Sequence, residues 1–233
     1  MIKSNGQARK RPAARVTVRP GRPKRPPAAD TEQRILEAAH GVFMQRGTAG
    51  ARMQEIAAAA GVNSALLHYY FRSKARLSEA VFRRAASQLL PAVIRILASD
   101  IDLTAKVHAV IDLELTHLSQ APYLPGYLIS ELTHDPDRAR HLVTELTGLV
   151  PEEVGRRVLG SLRAQIDAAV RARRMSPLEP EQFVVNLLSL CIFPFAARPM
   201  LMALLGADQP GFERFIEHRR ADLPSFILRA MRP

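Results

Sequence analysis

The sequence predicts an all-α fold: an N-terminal three-helix unit built around a helix-turn-helix, followed by a larger helical body. Three observations carry this prediction. Apolar residues recur at helical spacing in segment after segment beyond residue 30, and no convincing run alternates with period two. Capping residues and glycines punctuate the first of those segments at short intervals. Prolines at 91, 122, 136, 151, 177 and 180 fall where breaks are expected, because a missing backbone N–H is tolerated there.

Ahead of the helices lies an arm, residues 1–29, with nine basic residues, no acid and five prolines. Proline-rich chain of high charge and little apolar content is predicted to stay disordered. Residues 30–84 hold eight basic and five acidic groups, whereas residues 85–233 hold sixteen and seventeen. The net charge of +11 therefore belongs to the N-terminal third. A basic arm and head suit a polyanionic partner.

Order is expected to begin at Asp30-Thr31, either of which can cap a helix. Ile35, Ala38, Ala39, Val42 and Phe43 then form one apolar face, and Gly47 ends it. A second helix reads from Met53 to Ala60 and stops at Gly61. Asn63 caps a third helix, with Val62 placed to staple onto Leu67. Two short helices joined by Gly61-Val62-Asn63 make a helix-turn-helix candidate. Ser73 caps a fourth helix carrying Leu77, Ala80 and Val81.

Charge placement sharpens the reading. Arg52 stands at the start of the second helix, and Arg72, Lys74 and Arg76 at the start of the fourth. Cations there oppose the helix dipole at a cost of roughly 0.3–1 kcal/mol each. A bound phosphate reverses that sign. The third helix is the expected reader: Asn63, Ser64 and Ala65 allow close approach to a groove, and His68 and Tyr69 can contact phosphates or base edges. Tyr70 and Phe71 are expected to pack inward.

Residues 53–82, MQEIAAAAGVNSALLHYYFRSKARLSEAVF, resemble the DNA-binding domain of the TetR family of bacterial transcriptional regulators. The likeness rests on Ile56-Ala57, Ala60-Gly61-Val62, Tyr70-Phe71, Ser73-Lys74 and Leu77. Ile35, Ala38, Ala39, Phe43 and Gly47 match the family's first helix. Two positions depart from the family pattern: Ala51, where a capping Thr is common, and His68, where Tyr is common. In the arm, RPGRPKRP at residues 19–26 resembles an AT-hook core, which assigns Arg22, Lys24 and Arg25 to an A·T-rich minor groove. A polybasic tail without that preference is the alternative.

The resemblance divides the chain into the arm (1–29), the DNA-binding domain (30–84) and a ligand-binding and dimerisation domain (85–233). It implies a repressor that binds a pseudo-palindromic operator in double-stranded DNA as a homodimer and is released by a small-molecule effector. A nucleoid-type architectural DNA binder is the alternative. The two helices around Val154–Val170 and Phe183–Phe193 would pair with their copies, placing Val158, Leu162, Ile166, Val184, Leu187, Leu188 and Cys191 in a dimer interface. Residues that could line an effector pocket are Leu113, His117, Tyr123, Tyr127, Phe193 and Phe195.

Other classes find little support. One cysteine, Cys191, excludes an internal disulfide framework, and neither a secretory signal nor a membrane span is expected. The apolar stretch at 183–207 is interrupted by Pro194, Arg198 and Pro199 and reads as a buried helix pair. His108 and Asp112 stand four apart, as do His134 and Arg138, but no third ligand, phosphate loop or nucleophile elbow completes a site. No metal, no cofactor, no catalytic residue and a cytoplasmic location are the expectations.

Overall fold

The basic arm's Arg22, Lys24 and Arg25 lie outside the described residues: a computed structural model describes residues 28–134 and 136–233. Among them eleven helices and no strand are found. α1 (Ala28–Gly50), α2 (Met53–Ala59) and α3 (Ser64–Phe71) form the head with the first turns of α4 (Lys74–Ala98). Then follow α5 (Leu103–Gln120), α6 (Leu124–His134), α7 (Pro136–Thr147) and α8 (Pro151–Arg171). α9 (Pro180–Ala196), α10 (Arg198–Leu205) and α11 (Gln209–Ala230) complete the body.

α1 starts at Ala28, ahead of the expected cap at Asp30-Thr31, so Asp30 lies in its first turn; the later signals of the head act where they were expected. Gly47 breaks the α1 ladder at φ +66°, a left-handed conformation that glycine adopts without steric cost. Gly61 does the same at φ +64° between α2 and α3. Asn63 Oδ1 accepts from Leu66 N at 2.7 Å, and Ser73 Oγ accepts from Arg76 N at 3.2 Å. The N-cap of α2 is Arg52 rather than Ala51, and its side chain makes no cap bond. Ala51 instead lies buried in the head core with Ile35, Phe43, Ile56, Leu67 and Leu77. Two arginines of α1 lock the helix-turn-helix onto it. Arg34 Nη2 donates to the Ala60 carbonyl at 2.8 Å, and Arg46 pairs with Glu55 at 2.8 Å.

Pro91 does not break the chain. It sits inside α4, which runs unbroken for 25 residues from the head into the body. Proline forfeits one ladder bond, but Phe82, Ala86, Val93 and Leu97 bury an apolar stripe on both sides of it. That burial, at roughly 1.5–3 kcal/mol per large side chain, outweighs the lost bond. The buried clusters of head and body change over between Val81 and Phe82 on this same helix.

α5 is the axis of the body, packed by α4, α8, α9 and α11. Its buried face carries two ionisable groups among the aliphatics, Lys106 and Glu114. Lys106 Nζ donates to the Leu97 carbonyl at 2.7 Å and to Ser161 Oγ at 3.0 Å, closing the C-terminal turn of α4. Asp112, expected beside His108, pairs instead with Arg220 of α11 at 2.7 Å. Among the described residues no single helix is long and apolar enough to cross a membrane; α9 and α10 meet at 73° around the Ala197 break.

Candidate nucleic-acid interface

α3 is amphipathic over only eight residues. Leu67 and Phe71 point into the head core, the half-buried Tyr70 packs against it, and Leu66 is half-buried. Ser64, Ala65, His68, Tyr69 and Arg72 all face solvent. Their spacing (i, i+1, i+4, i+5, i+8) places them on one helix face. Tyr69 is 77% exposed, its ring edge-on to Tyr70 with centroids 5.5 Å apart. A large aromatic held outward on a well-packed helix has no share in the core and is available for contact.

The flanking cations frame this face. Arg52 is exposed at the N-cap of α2, and Arg76 is exposed in the first turn of α4. Lys74 has a structural partner that the sequence did not reveal: its ammonium donates to the Ala49 carbonyl at 2.7 Å, tethering the chain after Gly47. An ammonium has three N–H donors, so two remain for an anion. Asn63 is similarly shared, because its Oδ1 is taken by the cap and its amide N–H groups are left over. His68 Nδ1 lies 3.2 Å from the Arg72 carbonyl, which only accepts, so the imidazole presents Nε2 outward. Arg72 itself adopts φ +50°, a strained backbone for a non-glycine residue, and this turns the chain sharply from α3 into α4.

A short helix with an exposed polar and aromatic face, set across a glycine turn from its partner and flanked by cations at helix starts, defines a helix-turn-helix DNA-binding protein. Residues 35–81 match the bacterial regulatory proteins of the tetR family. Residues 35–81 therefore form a DNA-binding domain of that family's type.

The chain is similar to an HTH-type transcriptional repressor of Streptomyces coelicolor, with 30% identity over 123 residues. That match takes in 51% of this chain and 62% of the relative's length. It is also similar to the HTH-type transcriptional regulator RutR of Escherichia coli, with 27% identity over 85% of this chain and 89% of RutR. Among solved structures, a TetR/AcrR-family regulator from Thermobifida fusca superposes with a TM-score of 0.53 at 17% identity, covering 84% of this chain and 97% of that one. A TetR-family regulator from Mesorhizobium loti gives 0.52 at 19% identity, covering 90% and 100%. These two likenesses concern the fold.

In the body, none of the cavities among the described residues is lined by the expected effector residues together. Tyr123 packs against both cores, its hydroxyl 2.6 Å from His40 Nδ1 of α1 and its ring edge-on to Phe43. Tyr127 lies against Phe82 with centroids 4.8 Å apart, and Leu113 is half-buried in α5. Phe195 is 4% exposed and packs on Phe212, whereas Phe193 is 53% exposed. Two residues apart on a helix is about 200°, so these two rings face opposite ways. Only His117 of the six lines the cavity described below.

The expected interface residues need a correction as well. Val158, Leu162 and Ile166 are buried within the subunit, where α8 packs on α4, and Leu187 and Cys191 are equally interior. Val184 and Leu188 are half-buried against the same core. A side chain enclosed by its own subunit cannot form a seam with a second copy. The exposed apolar side chains nearby are others: Val185 and Phe193 on α9, and Phe226 on α11.

Proposed function

We propose that this chain is a homodimeric repressor that binds a pseudo-palindromic operator and is released by a small effector. The observation that carries the DNA part is the outward face of α3, Ser64, Ala65, His68 and Tyr69, set between Arg52 and Lys74. Arg52, Lys74 and the spare Asn63 donors hold phosphates. Ser64, Ala65, His68 and Tyr69 approach the major-groove edges. The arm with Arg22, Lys24 and Arg25 adds contacts in an A·T-rich minor groove. The domain division at 29/30 and 84/85 goes with this reading, although the second boundary falls inside the continuous α4.

The dimer seam is reassigned to α9 and α11. Val185 and Phe193 stand two helical turns apart on α9, and Phe226 of α11 lines a nearby groove with Leu187, Leu190 and Ile227. Arg219 of α11 ties the two helices by donating to the Leu190 carbonyl at 2.7 and 3.0 Å. Two such faces meeting across a two-fold axis make a four-helix bundle. Two α3 helices then present themselves about one DNA turn apart, roughly 34–36 Å or a multiple of it.

Footprinting the region upstream of its own gene tests this reading. Two protected half-sites at physiological salt are expected. Diffuse protection of any duplex would favour the architectural binder, and no protection would contradict both. Phe193→Glu is expected to give a monomer by light scattering and to lose the operator. Removing residues 1–26 is expected to cost more affinity on A·T-rich flanks than on G·C-rich ones; equal losses would reduce the arm to a polybasic tail.

A further inference from the structure

A cavity of about 220 Å³ lies where the head meets the body. α1 supplies Glu37 and His40 to its wall, α4 supplies Arg84 and Ala85, and α5 supplies His117. Its floor is apolar: Val81, Leu89, Leu118 and Leu124. Gln88 and Gln120 also line it, so a few polar groups share a slot with an apolar lining, the combination that orients a small amphipathic ligand.

Arg84 and His117 have readable preferences. Arg84 lies 3.6 Å from Glu37, a loose pair in which both side chains are substantially exposed, so the site already accommodates a carboxylate against this guanidinium. Such an exposed pair is worth little, and an incoming carboxylate displaces Glu37 readily. His117 Nδ1 lies 3.0 Å from the Leu113 carbonyl. A carbonyl only accepts, so Nδ1 carries the proton and Nε2 of the neutral ring is an acceptor that seeks a hydroxyl. Volume completes the description. A cavity of about 150 Å³ holds benzene, so this one holds a single ring with a small group at either end.

We infer that this junction cavity is a ligand site for a hydroxylated monocyclic aromatic carboxylate, its carboxylate on Arg84 and its hydroxyl donating to His117. Burial and the nearby Arg84 hold the His40 imidazole below its usual range, keeping it neutral and bonded to the Tyr123 hydroxyl beside the cavity. The ligand touches helices of both head and body, and Tyr123 packs against both cores next to it. An occupant that fits one head–body arrangement better than another shifts the equilibrium between them, and with it operator affinity. This deepens the repressor reading and rests on it only for the regulatory consequence.

The test is calorimetric titration of the full-length protein with 4-hydroxybenzoate, benzoate and phenol. 4-Hydroxybenzoate is expected to bind once per chain, with each truncated probe weaker by about tenfold. Arg84→Gln is expected to abolish the advantage of 4-hydroxybenzoate over phenol. Ala85→Leu, which fills the slot without altering a charge, is expected to abolish all binding, with helicity checked by circular dichroism. Should Ala85→Leu misfold, the Arg84→Gln comparison decides alone. Equal affinity for the three probes, retention of the carboxylate preference in Arg84→Gln, or no binding at millimolar concentration overturns the inference. Operator footprinting without ligand separates the two proposals. A protected operator with no 4-hydroxybenzoate binding sinks only the ligand site, and binding with no protected operator sinks only the repressor reading.

Discussion

Head and body place their polar and apolar groups in opposite ways. In the head the core is small and apolar, and cations together with an exposed tyrosine lie outside. In the body Lys106 and Glu114 are enclosed, Arg219 is half-enclosed, and large apolar side chains such as Val185, Phe193 and Phe226 are outside. A surface of cations and hydrogen-bonding groups suits a polyanion, and an apolar surface suits another protein face. The difference teaches that the two ends serve unlike partners. It also teaches that the body keeps titratable groups where their ionisation bears on the fold itself.

The largest expected effect breaks the body's side of this contrast. Lys106→Ala removes the donor that satisfies the Leu97 carbonyl and Ser161, and leaves a cavity; a loss of about 3–4 kcal/mol in denaturant unfolding is expected. Unchanged stability would mean that the buried ammonium is dispensable. Glu114 comes next. Burial raises its carboxyl to about 7, with Oε2 unpartnered. The folded state thus holds this proton more tightly than the unfolded chain, where a glutamate titrates near 4.5. The cost is absent below the unfolded value, grows as pH rises toward 7 and is complete above it. Glu114→Gln is expected to stabilise the protein at pH 8 by up to about 3 kcal/mol and to flatten the pH dependence between 5 and 7. A variant that follows the wild-type pH profile would contradict this.

The head's side is probed by a pair of aromatics two residues apart. Tyr69→Ala is expected to cost about 1–3 kcal/mol in operator binding and to leave thermal unfolding within about 0.5 kcal/mol. Phe71→Ala should do the reverse, unfolding the head first. The smallest effect is at the turn. Gly61→Ala forces a Cβ into left-handed backbone at about 1–2 kcal/mol, although the nearest neighbour to that Cβ is the Arg34 guanidinium at an unstrained 3.6 Å. A neutral outcome in thermal melts would show that the turn relaxes.

The same contrast explains what could be read from sequence. Head signals are local. Asn63, Ser73, Gly47 and Gly61 act on backbone within four residues of themselves, so spacing alone placed α2 and α3 and the N-caps of α3 and α4. Body signals depend on what packs across. The stripe Val158–Leu162–Ile166 is the same whether it meets its own subunit or a second copy, and here it meets α4. Pro91 reads as a break until the stripe spanning it is seen to be buried on both sides. Tyr123 bonds to His40 across 83 residues, a pairing that no local pattern encodes. Lys74 was legible as a cation at a helix start, but its bond to Ala49 was not.

The central claim is that phosphate-holding and base-reading duties in the head fall on different residues, and selection of bound sequences from random duplex DNA tests it most directly. Wild-type protein is expected to enrich one pseudo-palindrome. Lys74→Ala should enrich the same sequence with uniformly lower affinity, and Tyr69→Ala should relax the preference at the positions α3 faces. Unchanged preference in Tyr69→Ala, or a new preferred sequence in Lys74→Ala, would contradict the assignment of the outward face of α3 as the reader.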